Sequence, residues 1–584
     1  MPSEAAIQKA IHTLEMGKLA PWLRRALFVT VIFALATYYL LHEFNGLATS
    51  QAMDQAQIGR AIVEGHGWHT KFIRPLAVGE LQRHGKEVTQ AVWKDTYNAP
   101  LPPLIDAFVL LLVGNAKMTS KDMIYSADHV IALISVLFFI CSLGVLYLIA
   151  VQLFDQFLAR LACGLVMICD MMWRYSLSGL PQMLLLLLFL LTIHALIGAI
   201  RAQYLGGCTW LWIAAIGLGF GLLALTHALT IWMFIPVLAF SFLWFKPRGR
   251  VALVMLGVFL LTYAPWLIRN YKVCGNPCGL AIYSALDGIN HSEAGHMRRF
   301  EIEADFSPQM LFHKMRTNLV AQLNRIFEYL GWSFVAPVFF LSLLHSFKRP
   351  LTALMRWLLL AMWIGAVLGM AAFGLSEEQG FAANQLHLLF VPLLTCYGLG
   401  FLLMQWSHHT GLAFLSTHWP KQTHLLLRNA GLTLLFILCG LPTLFTLRSF
   451  SFVSSFHWPP YMPPYISVLH DWMKPQEITA TDMPWAVAWY ADRRALWLPT
   501  TIKEFTNLND YKTLGAPVNG LYLTPISGTM NTMGDIYSGE YKDWSRIVLH
   551  IWDVNTFPLH AATLLGSPEC VFLSDHDRRQ SSGK

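Results

Sequence analysis

Long apolar runs separated by short polar turns fill the first three quarters of the chain. They predict membrane-spanning helices near 26–42, 129–151, 160–173, 182–200, 209–226, 229–245, 251–267, 329–346, 357–374, 385–405 and 429–447, each approaching the ~20 apolar residues that cross a bilayer. A shorter apolar helix is predicted over 101–114. It opens with Pro100-Leu101-Pro102-Pro103 and carries Asp106. Proline suits a first helical turn, and ~14 residues at 1.5 Å each reach only about 21 Å, so this helix is read as interfacial or re-entrant. The expectation is 11 spans. The first run is longer than a usual signal core and many spans follow it, which makes it a retained anchor.

Past residue 447 the pattern changes. Strands are predicted at Glu477–Ala480, Ala495–Leu498, Leu521–Leu523 and Val571–Leu573, with helical stretches over 484–492 and 501–514. This alternation favours a small α/β layer. Trp458-Pro459-Pro460-Tyr461-Met462-Pro463-Pro464-Tyr465 reads as a stiff linker. The expected fold class is a polytopic α-helical membrane protein of about 11 transmembrane helices with a small C-terminal extracytoplasmic α/β domain. The expected division is 1–447 for the membrane domain, with a first external loop at 43–128, and 448–584 for the tail.

Composition agrees with the pattern. The chain is 55% hydrophobic and 13% charged, with mean hydropathy +0.48, against about 25% charged in an average soluble protein. The net charge of +7 does not point to nucleic acid, because Lys and Arg sit mainly at the ends of apolar runs. Arg24 and Arg25, Lys246–Arg250, and Lys348-Arg349 are expected on the cytoplasmic side, which puts the N-terminus inside. The segments 43–128, 174–181, 268–328, 375–384 and 448–584 then share the outer face. Cys274 and Cys278 flank Gly-Asn-Pro in one of these loops, as a disulfide or as two free thiols.

The polar residues of interest gather on that face. Asp54 follows the first span and opens a stretch of helical character. It is either a helix N-cap or a general base for an acceptor at the membrane surface; a cap that fixes the side chain is compatible with both. Gln55 follows it. His66, Trp68, His69, Lys71 and Arg74 form either a headgroup-facing belt or a site for a lipid-linked phosphate. Arg174, Tyr175 and Gln182 lie in a polar turn. Arg269, Asn270 and Lys272 end a span where the orientation rule does not expect cations. Gln385 and His387 begin another, and polar groups at membrane depth usually line a cavity or pair with one another. Glu377-Glu378 reads as a solvated acidic turn. No metal-ligand spacing and no phosphate-cradling glycine loop is present; no cofactor is predicted, and a divalent metal has no support.

Taken in order, these segments resemble the GT-C superfamily of membrane glycosyltransferases, in particular the bacterial branch related to protein O-mannosyltransferases and the lipid A aminoarabinose transferase. The resemblance rests on Asp54 through Trp68, Asn98-Ala99-Pro100-Leu101-Pro102-Pro103-Leu104, Tyr175-Ser176-Leu177-Ser178-Gly179-Leu180-Pro181, Ala264-Pro265-Trp266-Leu267-Ile268-Arg269-Asn270-Tyr271 and Trp485 through Arg493. Gln55 and Gln182 stand where many relatives carry acids. The resemblance implies a GT-C-like fold and inverting transfer from a polyprenyl-phosphate sugar to a glycan, lipid or protein acceptor at a bacterial inner membrane. Asp54 is then the base. Lys71, Arg74, Arg269, Lys272 and His387 meet the donor phosphate, and Gln55, His66, Arg174, Tyr175, Gln182, Asn270 and Gln385 bind substrate. A flippase for a lipid-linked precursor would expect charges deep within the spans, and a non-catalytic scaffold leaves Asp54 without a purpose.

Overall fold

The computed structural model describes residues 20–86, 88, 93–114, 125–287, 289, 295–300, 307–410, 422–448, 463–510, 513–524, 541–549, 551, 557–564 and 570–578. Most of the expected linker at 458–465 lies outside these residues. The membrane part contains α1 (Ala20–Tyr38), α2 (Ser50–Val63), α3 (Pro75–Arg83), α4 (Leu101–Val113), α5 (Ser126–Leu153), α6 (Gln156–Met167), α7 (Asp170–Leu177), α8 (Gln182–Tyr204), α9 (Trp210–Thr226), α10 (Ile231–Trp244), α11 (Arg250–Cys274), α12 (Pro308–Asn324), α13 (Pro350–Phe373), α14 (His387–Thr410) and α15 (Gln422–Arg448).

Seven helices among the described residues are long and apolar enough to cross a membrane, or eight if α6 and α7, bent by 56°, form one broken span. The other expected spans depart in length. The stretches at 209–226 and 229–245 are short apolar helices. The stretch at 329–346 is no continuous helix: Gly331 and Trp332 take left-handed φ values of 72° and 55°. Ser333 Oγ then accepts from the N–H groups of Val335 and Ala336, restarting the chain as the short helix Val338–Ser342. A left-handed non-glycine residue interrupts a right-handed ladder, which apolar composition alone does not reveal.

The described residues contain eight strands: β1 (Phe72–Ile73), β2 (Glu377–Glu378), β3 (Phe381–Ala382), β4 (Ile478–Thr481), β5 (Arg494–Trp497), β6 (Val518–Leu523), β7 (Ala561–Leu564) and β8 (Val571–Ser574). β2 and β3 form a hairpin, and the other six form one sheet in the order β1-β5-β4-β6-β8-β7. The first four strands of that order are parallel, and β8 and β7 are antiparallel to their neighbours. A parallel core is normally covered on both faces. Here Phe72, Ala495, Tyr522 and Phe572 join Met53 and Ala56 of α2 in one apolar cluster. Ile73, Leu496, Leu521 and Leu573 face the other way, with Phe505 of α16 (Ile502–Asp510) and Trp544.

The sheet is not confined to the tail, because β1 comes from the first loop and pairs Phe72 with Ala495 and Ile73 with Leu496. A second set of contacts joins the same segments. Arg60 Nη2 donates to the carbonyls of Ala488 and Trp489, both at 2.8 Å, and lies 3.3 Å from Asp492. Trp489 Nε1 and Tyr490 OH donate to the Asp128 carboxylate at 2.8 and 2.9 Å. Beneath them α2 crosses α4 closely at Gly59, where a Cβ would stand 2.9 Å from Asp106 Cβ and 3.0 Å from the Pro103 carbonyl.

Candidate active site

The helix that carries Asp54 starts at Ser50, and its N-cap is Thr49, whose hydroxyl accepts from Ala52 N–H at 3.3 Å. Asp54 is therefore not the cap. It lies within α2, 1% exposed, against a cavity of about 920 Å³. Three donors hold its carboxylate. Arg74 Nη2 and Asn98 Nδ2 reach Oδ2 at 2.5 and 2.6 Å, and Gln57 Nε2, one helical turn away, reaches Oδ1 at 3.0 Å. Gln57 also ties α2 to the next segment, donating to Thr70 Oγ1 and accepting from Lys71 N–H.

Arg74 is 5% exposed and lies between the rings of Phe72 and Tyr97, 4.0 and 4.1 Å from their centroids. It also stands 3.7 Å from Asp95. Burial alone would lower its proton affinity, but the Asp54 and Asp95 carboxylates outweigh that and hold it above its usual value. Asp95 is pushed up to about 6, first by burial and then by the charge of Asp54, against the pull of Arg74. Its carboxylate accepts from Asn98 N–H at 2.9 Å, a local turn that aims the Asn98 amide at Asp54.

The far side of the cavity comes from distant segments. Glu378 of the β2–β3 hairpin accepts from Ser50 N–H and Oγ at 2.9 and 2.7 Å, which caps the helix carrying Asp54; burial raises its proton affinity, opposed by those two donors. Glu377 pairs with Arg325 at 2.6 Å. The acidic turn expected to be solvated is thus bonded through both residues, and nothing local in the sequence signals it. α12 adds His313, Lys314 and Asn318, the turn after β4 adds Trp485, and β5 adds Trp497. Lys314 Nζ donates to the carbonyls of Ser284 and Ala285, and burial lowers its proton affinity against the pull of Asp287.

Of the residues singled out from sequence, Asp54 and Arg74 line this cavity. Lys71 does not; its ammonium is bonded to Asp492. Arg269 sits behind the loop, donating to the backbone carbonyls of Asp95 and Trp68 and stacking 4.7 Å from Trp266. Asn270 accepts from it at 3.0 Å. Lys272 and His66 are exposed away from the cavity. His387 is fully buried, stacked on Tyr329 and bonded to Trp363 and Gln322 at 3.2 Å; an imidazole so enclosed cannot reach a ligand in the cavity. Gln55 faces a separate small void beside Asp106. Tyr175 accepts from Ala382 N–H and Gln182 donates to the Ala383 carbonyl, so these two support the hairpin, while Gln385 donates to the Tyr329 carbonyl. Arg174 is exposed, 5.8 Å over Phe381. Among the described residues no three His, Cys, Asp or Glu side chains gather as a metal site, and Cys274 and Cys278 are free thiols.

Neither a protein-family model nor a curated protein matches the chain. Solved structures do. ArnT from Cupriavidus metallidurans in the apo state superposes with a TM-score of 0.53 at 13% identity, over 95% of this chain and 98% of that one. The Archaeoglobus fulgidus oligosaccharyltransferase tethered with an acceptor peptide superposes at 0.50 and 12% identity, over 86% of this chain and 69% of that one. Both are GT-C proteins. This chain has the GT-C fold. Within that GT-C fold, the buried carboxylate–guanidinium pair sits where the first loop, the β2–β3 hairpin and the sheet converge on one cavity.

Proposed function

We propose that the protein is a membrane glycosyltransferase, transferring a sugar with inversion from a polyprenyl-phosphate donor to an acceptor at the outer face of a bacterial inner membrane. In this reading the N-terminus is cytoplasmic, the first loop and the tail are extracytoplasmic, and residues 448–584 form the second domain. The supporting observation is the bonding of Asp54. An ionised carboxylate offers about four acceptor positions, and Arg74, Asn98 and Gln57 use three of them. The remaining one, on Oδ1, is free to take a proton from an acceptor hydroxyl.

The acceptor oxygen bonds to the anomeric carbon as the bond from that carbon to the phosphate oxygen breaks, and the proton passes to Asp54. The leaving phosphate keeps the electron pair of the broken bond. Its charge falls to the cations that line the cavity, Lys314 on α12 and Arg74 beside Asp54, because fixed charges in an enclosed site contribute strongly to such a step. Lys71, Arg269, Lys272 and His387, the other donor-phosphate residues expected from sequence, do not line the cavity.

Purified protein and Asp54→Asn are to be incubated with radiolabelled polyprenyl-phosphate sugars and a panel of glycan, lipid and peptide acceptors, and released polyprenyl phosphate counted. Release by wild type and a loss of at least a hundredfold in Asp54→Asn, of the size expected for a general base, support the reading. Equal release by both removes Asp54 from the mechanism.

A further inference from the structure

A chain of hydrogen bonds runs from the tail to Asp54. Ala495 N–H of β5 donates to the Lys71 carbonyl at 2.8 Å. Lys71 N–H donates to Gln57 Oε1 at 3.1 Å, and Gln57 Nε2 donates to Asp54 Oδ1 at 3.0 Å. The second hydrogen of Nε2 goes to Thr70 Oγ1 at 2.6 Å, and that hydroxyl also accepts from Phe72 N–H at 3.0 Å. Gln57 is 2% exposed. The chemistry of its partners fixes which way its amide points. A backbone N–H can only donate and an ionised carboxylate can only accept, so exchanging Oε1 and Nε2 would break the bonds to Lys71 and Asp54 together.

Arg74 and Asn98 both bond Oδ2 of Asp54. A carboxylate held through one oxygen can still pivot about it. Among the described residues Gln57 is the donor on Oδ1, and its bond stops that pivot. The remaining acceptor position on Oδ1, which takes the proton in the proposed reaction, then has a set direction. Gln57 does not line the cavity, so its influence on a bound substrate passes through Asp54. Its own anchor is set from the tail, because the Lys71 peptide lies where β1 pairs with β5.

We propose that Gln57 is a positioning residue for the base: it aims Oδ1 of Asp54 at the acceptor, and it does so in register with the tail. This rests on the reading of Asp54 as the group that takes the acceptor's proton. It gives the tail a role in the reaction without contact with substrate, since β5 holds the peptide that holds the Gln57 amide.

The test is steady-state kinetics on the full-length protein in nanodiscs, with polyprenyl-phosphate hexoses and pentoses as donors and glycan, lipid and peptide acceptors. Rates are taken per folded protein, measured by circular dichroism. Gln57→Met keeps the length of the side chain and loses both N–H groups. It should lower kcat about ten- to a hundredfold, the size of a small misplacement of a reacting group, and leave the donor KM unchanged. Thr70→Val keeps the bond from Gln57 to Asp54 but removes one anchor of the amide, so it should lower kcat alone, by about threefold. It decides the matter if Gln57→Met does not fold. Unchanged kcat in Gln57→Met overturns the proposal, as does a donor KM that rises as much as kcat falls. Where Gln57→Met does not fold, unchanged kcat in Thr70→Val overturns it. A loss in Asp54→Asn with none in Gln57→Met overturns the positioning role alone. Turnover indifferent to Asp54, or none by folded wild type, overturns the proposed reaction and this role with it.

Discussion

Replacing Arg74 with Met isolates the interaction on which the site depends. Arg74 and Asp54 are 5% and 1% exposed and joined at 2.5 Å, so water screens them little. Two unit charges about 4 Å apart attract by about 4 kcal/mol at an effective dielectric of about 20. Removing one member of a buried pair costs about 3–5 kcal/mol, because the other stays charged and unpaired. Arg74→Met leaves two carboxylates in that state, Asp54 and Asp95, and also loses the contacts with Phe72 and Tyr97. Asp54→Asn costs less, since Arg74 keeps Asp95 as a partner. The double variant Asp54→Asn/Arg74→Met has one fewer unpaired charge than Arg74→Met. It should therefore be more stable than the sum of the two single losses implies, by about 2–4 kcal/mol.

The assay is a double-mutant cycle on purified protein in mixed micelles, unfolded by SDS and followed by circular dichroism. Single effects that add to within about 0.5 kcal/mol, as for independent sites, would show that the pair is not formed and would refute the reasoning. Arg74→Lys adds a control. It keeps the charge but loses the planar fork and the ring stacking, so it should fall between wild type and Arg74→Met in both stability and transfer.

Asp95 is held up to about 6 in the fold against about 4 in an unfolded chain. Across that window the folded state binds the extra proton, so its stability falls as pH rises from about 4 to 6 and levels off above. Asp95→Asn should remove this part of the slope; melting curves at pH 5 and 7.5 check it, and an unchanged wild-type-to-variant difference would contradict the assignment. Arg60→Met removes two charge-assisted bonds and the Asp492 pair and should cost about 2–4 kcal/mol. Hydrogen exchange should quicken over 484–497 while the long apolar helices stay protected, and uniform protection would mean that Arg60 does not anchor the tail.

The long apolar helices were legible because burial in lipid demands an unbroken run of apolar residues. The break at Gly331 and Trp332 was not, because Trp gives no sign of adopting a positive φ. Asp54 stood out as an acid just beyond the first span, although its bonding partners did not. Arg74 and Lys71 look equivalent in sequence, three residues apart in one polar loop. Between them lies β1, two residues long, whose alternation sends Phe72 toward the cavity and Ile73 into the opposite apolar cluster. Lys71 pairs with Asp492 and Arg74 with Asp54. A two-residue strand carries no readable period; it becomes a strand only because β5, more than 400 residues later, is there to pair with it. The same pairing brings in Trp485 and Trp497 and fixes Phe72 under Arg74. The geometry of the buried carboxylate is therefore set partly by the tail. A tail that fails to dock should disorder the Arg74–Asp54 pair before it disturbs any membrane helix.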